Sequence, residues 1–419
     1  MGVLAGLLIA CEVVLLAVFV LTRAAGTREL GWRLHEALLG WQTLYWLGAS
    51  ILFVVAPSRD TTSLAFIASV AQLSLTAGVL VATGTARARE PAPSELRPTE
   101  RKVTYAIAAT AAAVCLLFIV IVVRNEELAL LLAGVLTGDE QFLEFRTTMT
   151  SGGAVYLAPG YVKQFRDVLL PTALIALVAF TTRPRWLVIV PMGLIGLVAA
   201  ILSGERFSVM LYVLALGAAF LMRPDRGAVT ARLVAPLLAL VLFSAFVGTT
   251  ILLGRASEDT SAFGIVLESA SSLIDRVVLT LPRENAGGYA VWSPLAPSWG
   301  ANWTSAIAGI LPGSQTGLDQ ELHEVLGGSA LGSSPLGLPA DAYLAWGMLG
   351  IAICPFVYCI LLARTDEVLL DARLAVARAF RVALVPLSFA WYSPFLFVLN
   401  GGVVLVAAAA AGLVLMRRS

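Results

Sequence analysis

Charge is what this sequence lacks most. Only 13% of its 419 residues are charged, 59% are hydrophobic, and the mean hydropathy is +0.87. A soluble domain carries about a quarter charged residues, so the composition excludes an ordinary soluble enzyme and points to an integral membrane protein. A net charge of +1 leaves no basic surplus for a nucleic-acid partner. Lysine is nearly absent, occurring only at Lys102 and Lys163 among 28 Lys and Arg. Arginine at any one position therefore carries little weight, and Lys163 stands out. The four cysteines, Cys11, Cys115, Cys354 and Cys359, sit inside apolar runs with no metal-ligand spacing or pairing pattern, and read as small packing residues. LIAC, ending at Cys11, resembles a lipoprotein cleavage box. No Lys or Arg precedes it and the apolar run continues to Leu21, so lipid attachment is not expected. There is no P-loop, dinucleotide fingerprint, HExxH or DxD, so neither a cofactor nor a metal is expected.

What is present is long apolar runs. A membrane-spanning helix needs about 20 apolar residues, and the sequence predicts about eleven: 2–22, 37–56, 62–82, 103–123, 168–182, 186–203, 207–222, 232–253, 342–362, 380–398 and 401–416. The chain reads as a single polytopic all-α domain over 1–419. The connections at 23–36, 83–102, 183–185, 223–232, 363–381 and the tail after 416 hold 19 of the 28 Lys and Arg. Positive residues stay in the cytoplasm, which predicts the N-terminus outside, the C-terminus inside, and a bacterial plasma-membrane location. Both long loops, 124–167 and 254–341, then face outward with the short turn at Ser203–Arg206.

The first loop carries Arg146, a Ser151-Gly152-Gly153 turn, and then Tyr161, Lys163, Arg166 and Asp167, just ahead of the span expected from 168. In the second, Arg255 is followed by an amphipathic helix over 261–281. Its apolar positions include Phe263, Val266, Leu267, Ile274 and Val277, and Glu268, Asp275 and Arg276 fall largely opposite. A Pro/Gly/Trp-rich passage with Arg283, Trp292, Trp299 and Trp303 comes next, the tryptophans read as interfacial anchors. A short helix near Asp319–Leu326 carries His323, and Asp341 meets the next span. Seven arginines thus fall at one membrane surface: Arg124, Arg146, Arg166, Arg206, Arg255, Arg276 and Arg283.

Guanidinium binds phosphate oxygens in a bidentate fork. Arginines at helix ends suit a phosphate held at the bilayer surface, and preorganised cations stabilise a departing pyrophosphate without a metal. An acceptor hydroxyl then needs a base, for which Glu205, His323 and Asp341 are the candidates. The expected substrate-binding set is Arg206, Arg276, Arg146, Arg166, Lys163, Arg255, Arg283 and Tyr161.

On these features the chain resembles the Wzy-type O-antigen and oligosaccharide repeat-unit polymerases. SGERF at 203–207 is similar to that family's small-Gly-x-Arg turn, and Arg276 followed by ten residues and Gly287 to its second-loop Arg-x10-Gly pattern. Arg146 departs, its glycines coming six, seven and fourteen residues later. GSSPLGLPADAYLAWGMLG at 332–350 looks like the family's entry to a late span. The resemblance implies a fold related to the GT-C-like membrane glycosyltransferases. It also implies polymerisation of polyprenyl-pyrophosphate-linked repeat units, lipid-linked donor and acceptor as partners, and a chain-length regulator. The related O-antigen ligases place a histidine in the large loop, where only His323 stands here. A flippase is the non-enzymatic alternative; against it, Glu12 is the one ionisable residue well within an expected span, and no inverted repeat is evident.

Overall fold

A computed structural model describes residues 2–26, 33–85, 95–125, 159–203, 275–308, 318–327 and 334–371, with isolated positions at 208–219, 271 and 379–384. Regular structure among them is helical throughout. Arg146, Glu205, Arg206 and Arg255 lie outside the described residues, as do the spans expected at 232–253 and 401–416 and the side chains of Tyr161 and Arg276.

Helices α1 (Gly2–Gly26), α2 (Leu34–Val55), α3 (Arg59–Thr85) and α4 (Pro98–Arg124) match the first four expected spans. Their ends follow local chemistry. The Glu36 carboxylate accepts from the Arg33 N–H and that of Glu100 from the Arg97 N–H, both at 3.1 Å, tying off first-turn donors. Ser58 and Thr61 cap α3 reciprocally: the Ser58 N–H donates to Thr61 Oγ1 at 2.8 Å and the Thr61 N–H to Ser58 Oγ at 3.1 Å.

The next span begins earlier than its hydropathy predicts. Helix α5 (Pro159–Gln164) runs through a π-helical turn (Phe165–Leu169) into α6 (Leu170–Ala179), and α7 (Trp186–Leu202) follows. Pro171 has no N–H for the preceding turn, and a π turn is one way a helix absorbs that loss. Arg166 and Asp167 consequently stand on the helix and are buried, not in the loop before it.

The second loop also differs from expectation. A π turn at Asp275–Thr280 leads into α8 (Leu281–Gly287), α9 (Tyr289–Trp292) and a 3-10 turn at Ser293–Leu295. Then come α10 (Ala301–Ala308), α11 (Leu318–Gly327) and α12 (Leu338–Asp371). Gly347, at φ 62° and ψ −142°, breaks α12 into two helical segments. The carbonyls of Leu344 and Ala345 left at that break accept from the N–H groups of Ser298 (2.8 Å) and Gly300 (3.2 Å).

Leu34–Val55, Arg59–Gly84, Pro98–Arg124 and Leu338–Leu369 are long and apolar enough to cross a membrane; Gly2–Ala17 and Trp186–Leu202 are shorter apolar helices. They leave large apolar side chains uncovered, including Val3, Val55, Leu187 and Leu349. Such surface suits lipid contact, and the protein is membrane-embedded and helical.

By contacts the chain divides into two compact units. One is drawn from Met1–Glu90, Ile274–Val368 and Leu387–Leu399, the other from Pro91–Leu273, Leu369–Pro386 and Asn400–Ser419. In the first unit the loop segments share a core with the spans: Tyr45, Trp46, Leu64 and Ala68 of α2 and α3 pack with Leu281, Ala286, Trp292, Leu322, Leu336 and Leu344. The π turn lies so close to the middle of α2 that a Cβ at Gly48 would collide with the Val278 carbonyl. In the second unit every residue of α6 is buried, making it the central helix, with α4 and α7 packed around it.

Candidate polar sites in the two units

Two polar hubs organise the first unit. Asn285 is fully buried on α8. Its Oδ1 accepts from the Tyr45 hydroxyl (2.8 Å) and the Gly337 N–H (2.9 Å), and its Nδ2 donates to the Pro335 carbonyl (3.1 Å). The Asn285 carbonyl accepts from the Trp292 indole at 2.9 Å. One side chain thus joins α2, α8 and the entry to α12. Nothing in the sequence marks it, because its value lies in partners 240 and 52 residues away.

The second hub is Asp341, buried in the first turn of α12, where a helix favours an acid. Asn302 Nδ2 donates to Oδ1 at 2.6 Å and the Trp303 indole to Oδ2 at 2.8 Å. Ser298 donates to Asn302 Oδ1 at 2.9 Å. Both carboxylate oxygens carry donors, an arrangement that holds the group in place. Asp341, one of the three candidate bases, is thus tied to α10. Trp303 and the fully buried Trp292 are likewise internal hydrogen-bond donors, not interfacial anchors. Only Trp299, 72% exposed and edge-on to Trp346 at 6.0 Å, retains that reading.

His323 is half-buried on α11, its Nδ1 at 3.1 Å from the Ser334 hydroxyl. That contact fixes the ring and leaves Nε2 without a partner among the described residues, the arrangement a base needs. Arg283 is exposed and pairs with Asp275 (Nη2 to Oδ1, 2.8 Å). A cleft of about 450 Å³ lies where the α2–α3 turn meets α9, lined by Pro57, Ser58, Arg59, Thr62, Ser63 and Tyr289. Sequence reasoning passed over Arg59, although the 57–61 connection falls in the expected outward set.

No family profile, curated protein or solved structure matches this chain. Function must be argued from the sites themselves.

In the second unit, Arg166, expected as a phosphate-binding cation of the first external loop, is buried and paired instead. Its Nε donates to Asp167 Oδ1 (2.6 Å) and its Nη2 to Asp167 Oδ2 (3.0 Å). Nη2 also donates to Ser208 Oγ (2.8 Å), which in turn donates to Asp167 Oδ2 (2.8 Å). The fork that would grip a phosphate grips Asp167, because a buried guanidinium without a counter-ion is prohibitively costly. Lys163, on α5, is half-buried. Arg166 and Asp167 thus join Glu12 among the buried ionisable groups. Among the described residues no group of three His, Cys, Asp or Glu is placed to hold a metal ion.

Proposed function

We propose that this chain joins polyprenyl-pyrophosphate-linked oligosaccharide units at the outer face of the bacterial plasma membrane. The reaction is a metal-independent glycosyl transfer in a GT-C-like, roughly eleven-span protein. The observation that carries the reading is the cleft between the α2–α3 turn and α9, which sets Arg59 and two serine and one threonine hydroxyls beside Tyr289 of the second loop. A cation with hydroxyl donors suits a phosphate oxygen, and a tyrosine ring offers a sugar an apolar face with a polar tip. Arg206, Arg276 and Arg146 are proposed from the sequence as further phosphate-binding residues. His323 is the proposed base: with Nδ1–H donating to Ser334, Nε2 would take the acceptor proton.

The test is a set of single changes in cells making the native glycan: Arg59→Ala, Arg206→Ala, Arg276→Ala, Arg146→Ala and His323→Ala, each with membrane expression verified. The expected result is single exported repeat units in place of long chains. A lost transition-state contact typically reduces rate by about 10²–10³-fold. Unchanged chain length in all five rejects the reading. Long chains that stay on the lipid carrier would instead show a ligase, the reading that a loop histidine held by Ser334 also supports. Lipid-linked units trapped inside would show a flippase.

A further inference from the structure

Glu12 lies within the apolar helix α1 and is fully buried against α3. The Thr76 hydroxyl donates to Oε1 at 2.6 Å, while Oε2 has no partner among the described residues. The groups facing the carboxyl from α3 are Thr76 and Gln72, both uncharged. Gln72 is itself committed through Nε2 to Thr43 Oγ1 of α2 at 2.9 Å, and Thr43 to the Leu39 carbonyl at 2.7 Å. On α1 no other charged residue occurs before Arg23. The charges of α3, Arg59 and Asp60, are at least 16 residues from Thr76, roughly 24 Å along a helix. A carboxylate here would be an anion in apolar surroundings with only the neutral Thr76 and Gln72 as donors and, among the described residues of α1 and α3, no counter-ion, a costly state.

We propose that Glu12 is a proton-binding site inside the membrane, resident as the neutral acid with its proton on Oε2. The site is distinct from the proposed transfer chemistry and does not depend on it. A Thr76–Glu12 tie between α1 and α3 alone would be served equally by glutamine. What the carboxyl adds is a proton that can be taken up or released, the property for which ionisable groups are retained within membranes.

Two measurements on the full-length protein in lipid nanodiscs test this. Infrared spectra of wild type and Glu12→Gln are expected to differ by a protonated-acid carbonyl band present only in the wild type; identical spectra overturn the proposal. Thr76→Val keeps the carboxyl but removes its donor and is expected to shift that band, so the question survives if Glu12→Gln does not fold. An unshifted spectrum counts against the site. The second measurement uses dicyclohexylcarbodiimide, which reacts with acids in apolar surroundings. The acid oxygen bonds to the central carbon of the reagent, the proton passes to one of its nitrogens, and the acyl group then migrates from oxygen to nitrogen with no leaving group. Mass spectrometry is expected to find the adduct on Glu12 at neutral pH and to find none at that position in Glu12→Gln. Labelling suppressed by sodium but not by choline would show a cation site and overturn the assignment to a proton.

Discussion

The two π-helical turns make an instructive pair. Both precede a Leu-Pro step, FRDVL-LP in one unit and DRVVLT-LP in the other, and both carry an adjacent Arg and Asp. In the first, Arg166 and Asp167 pair with each other, with side chains 5% and 1% exposed, and share Ser208. In the second, Asp275 turns outward to Arg283, with side chains 42% and 56% exposed. Similar local chemistry thus serves opposite ends. Where the turn is enclosed, the ions satisfy each other. Where it is open, the pair is loosely held in water and the arginine can exchange its carboxylate for another anion.

The difference can be broken most forcefully at Asp167. Asp167→Ala leaves Arg166 buried without its counter-ion and is expected to lower stability by about 3–5 kcal/mol, read as loss of folded protein in a detergent melting series. Replacing both partners with apolar side chains of similar volume, Arg166→Met with Asp167→Leu, is expected to recover most of that loss. If the double variant melts like Asp167→Ala, the cluster contributes more than mutual neutralisation. Next in size is Asn285→Ala, which strands the Tyr45 hydroxyl and the Gly337 N–H; about 1–3 kcal/mol for each buried group left unsatisfied should appear in the same assay. Gly347→Ala follows: its φ of 62° with ψ of −142° is backbone essentially confined to glycine, where a Cβ costs about 1–3 kcal/mol. Smallest of all is Asp275→Ala, expected to change stability by only about 0–1 kcal/mol, an effect that added salt erases. A loss near that of Asp167→Ala would refute the contrast between the two turns.

How much of this was legible beforehand follows from the range of each interaction. The four early helices were readable because hydropathy over about 20 residues is a local sum. The start of α5 was not, since Lys163, Arg166 and Asp167 lower the local hydropathy as if they were in water. Arg166 and Asp167 are buried together with Ser208, 41 residues from Asp167. Asp341 was legible as a notable acid at the mouth of a span, but its engagement by Asn302 and Trp303 was not. The same holds for Asn285, and for Arg59, which lines its cleft together with Tyr289, distant in sequence.

By itself the sequence determined that this protein is helical and membrane-embedded, because apolar length and scarcity of charge act residue by residue against the bilayer. The tertiary structure decided which of the scarce charges are available. A cation in hydrophobic surroundings is governed by what stands within a few ångströms of it. It thus turned Arg166 into half of a sealed ion pair, left Arg59 and Arg283 exposed, and buried Glu12 beside the neutral Thr76.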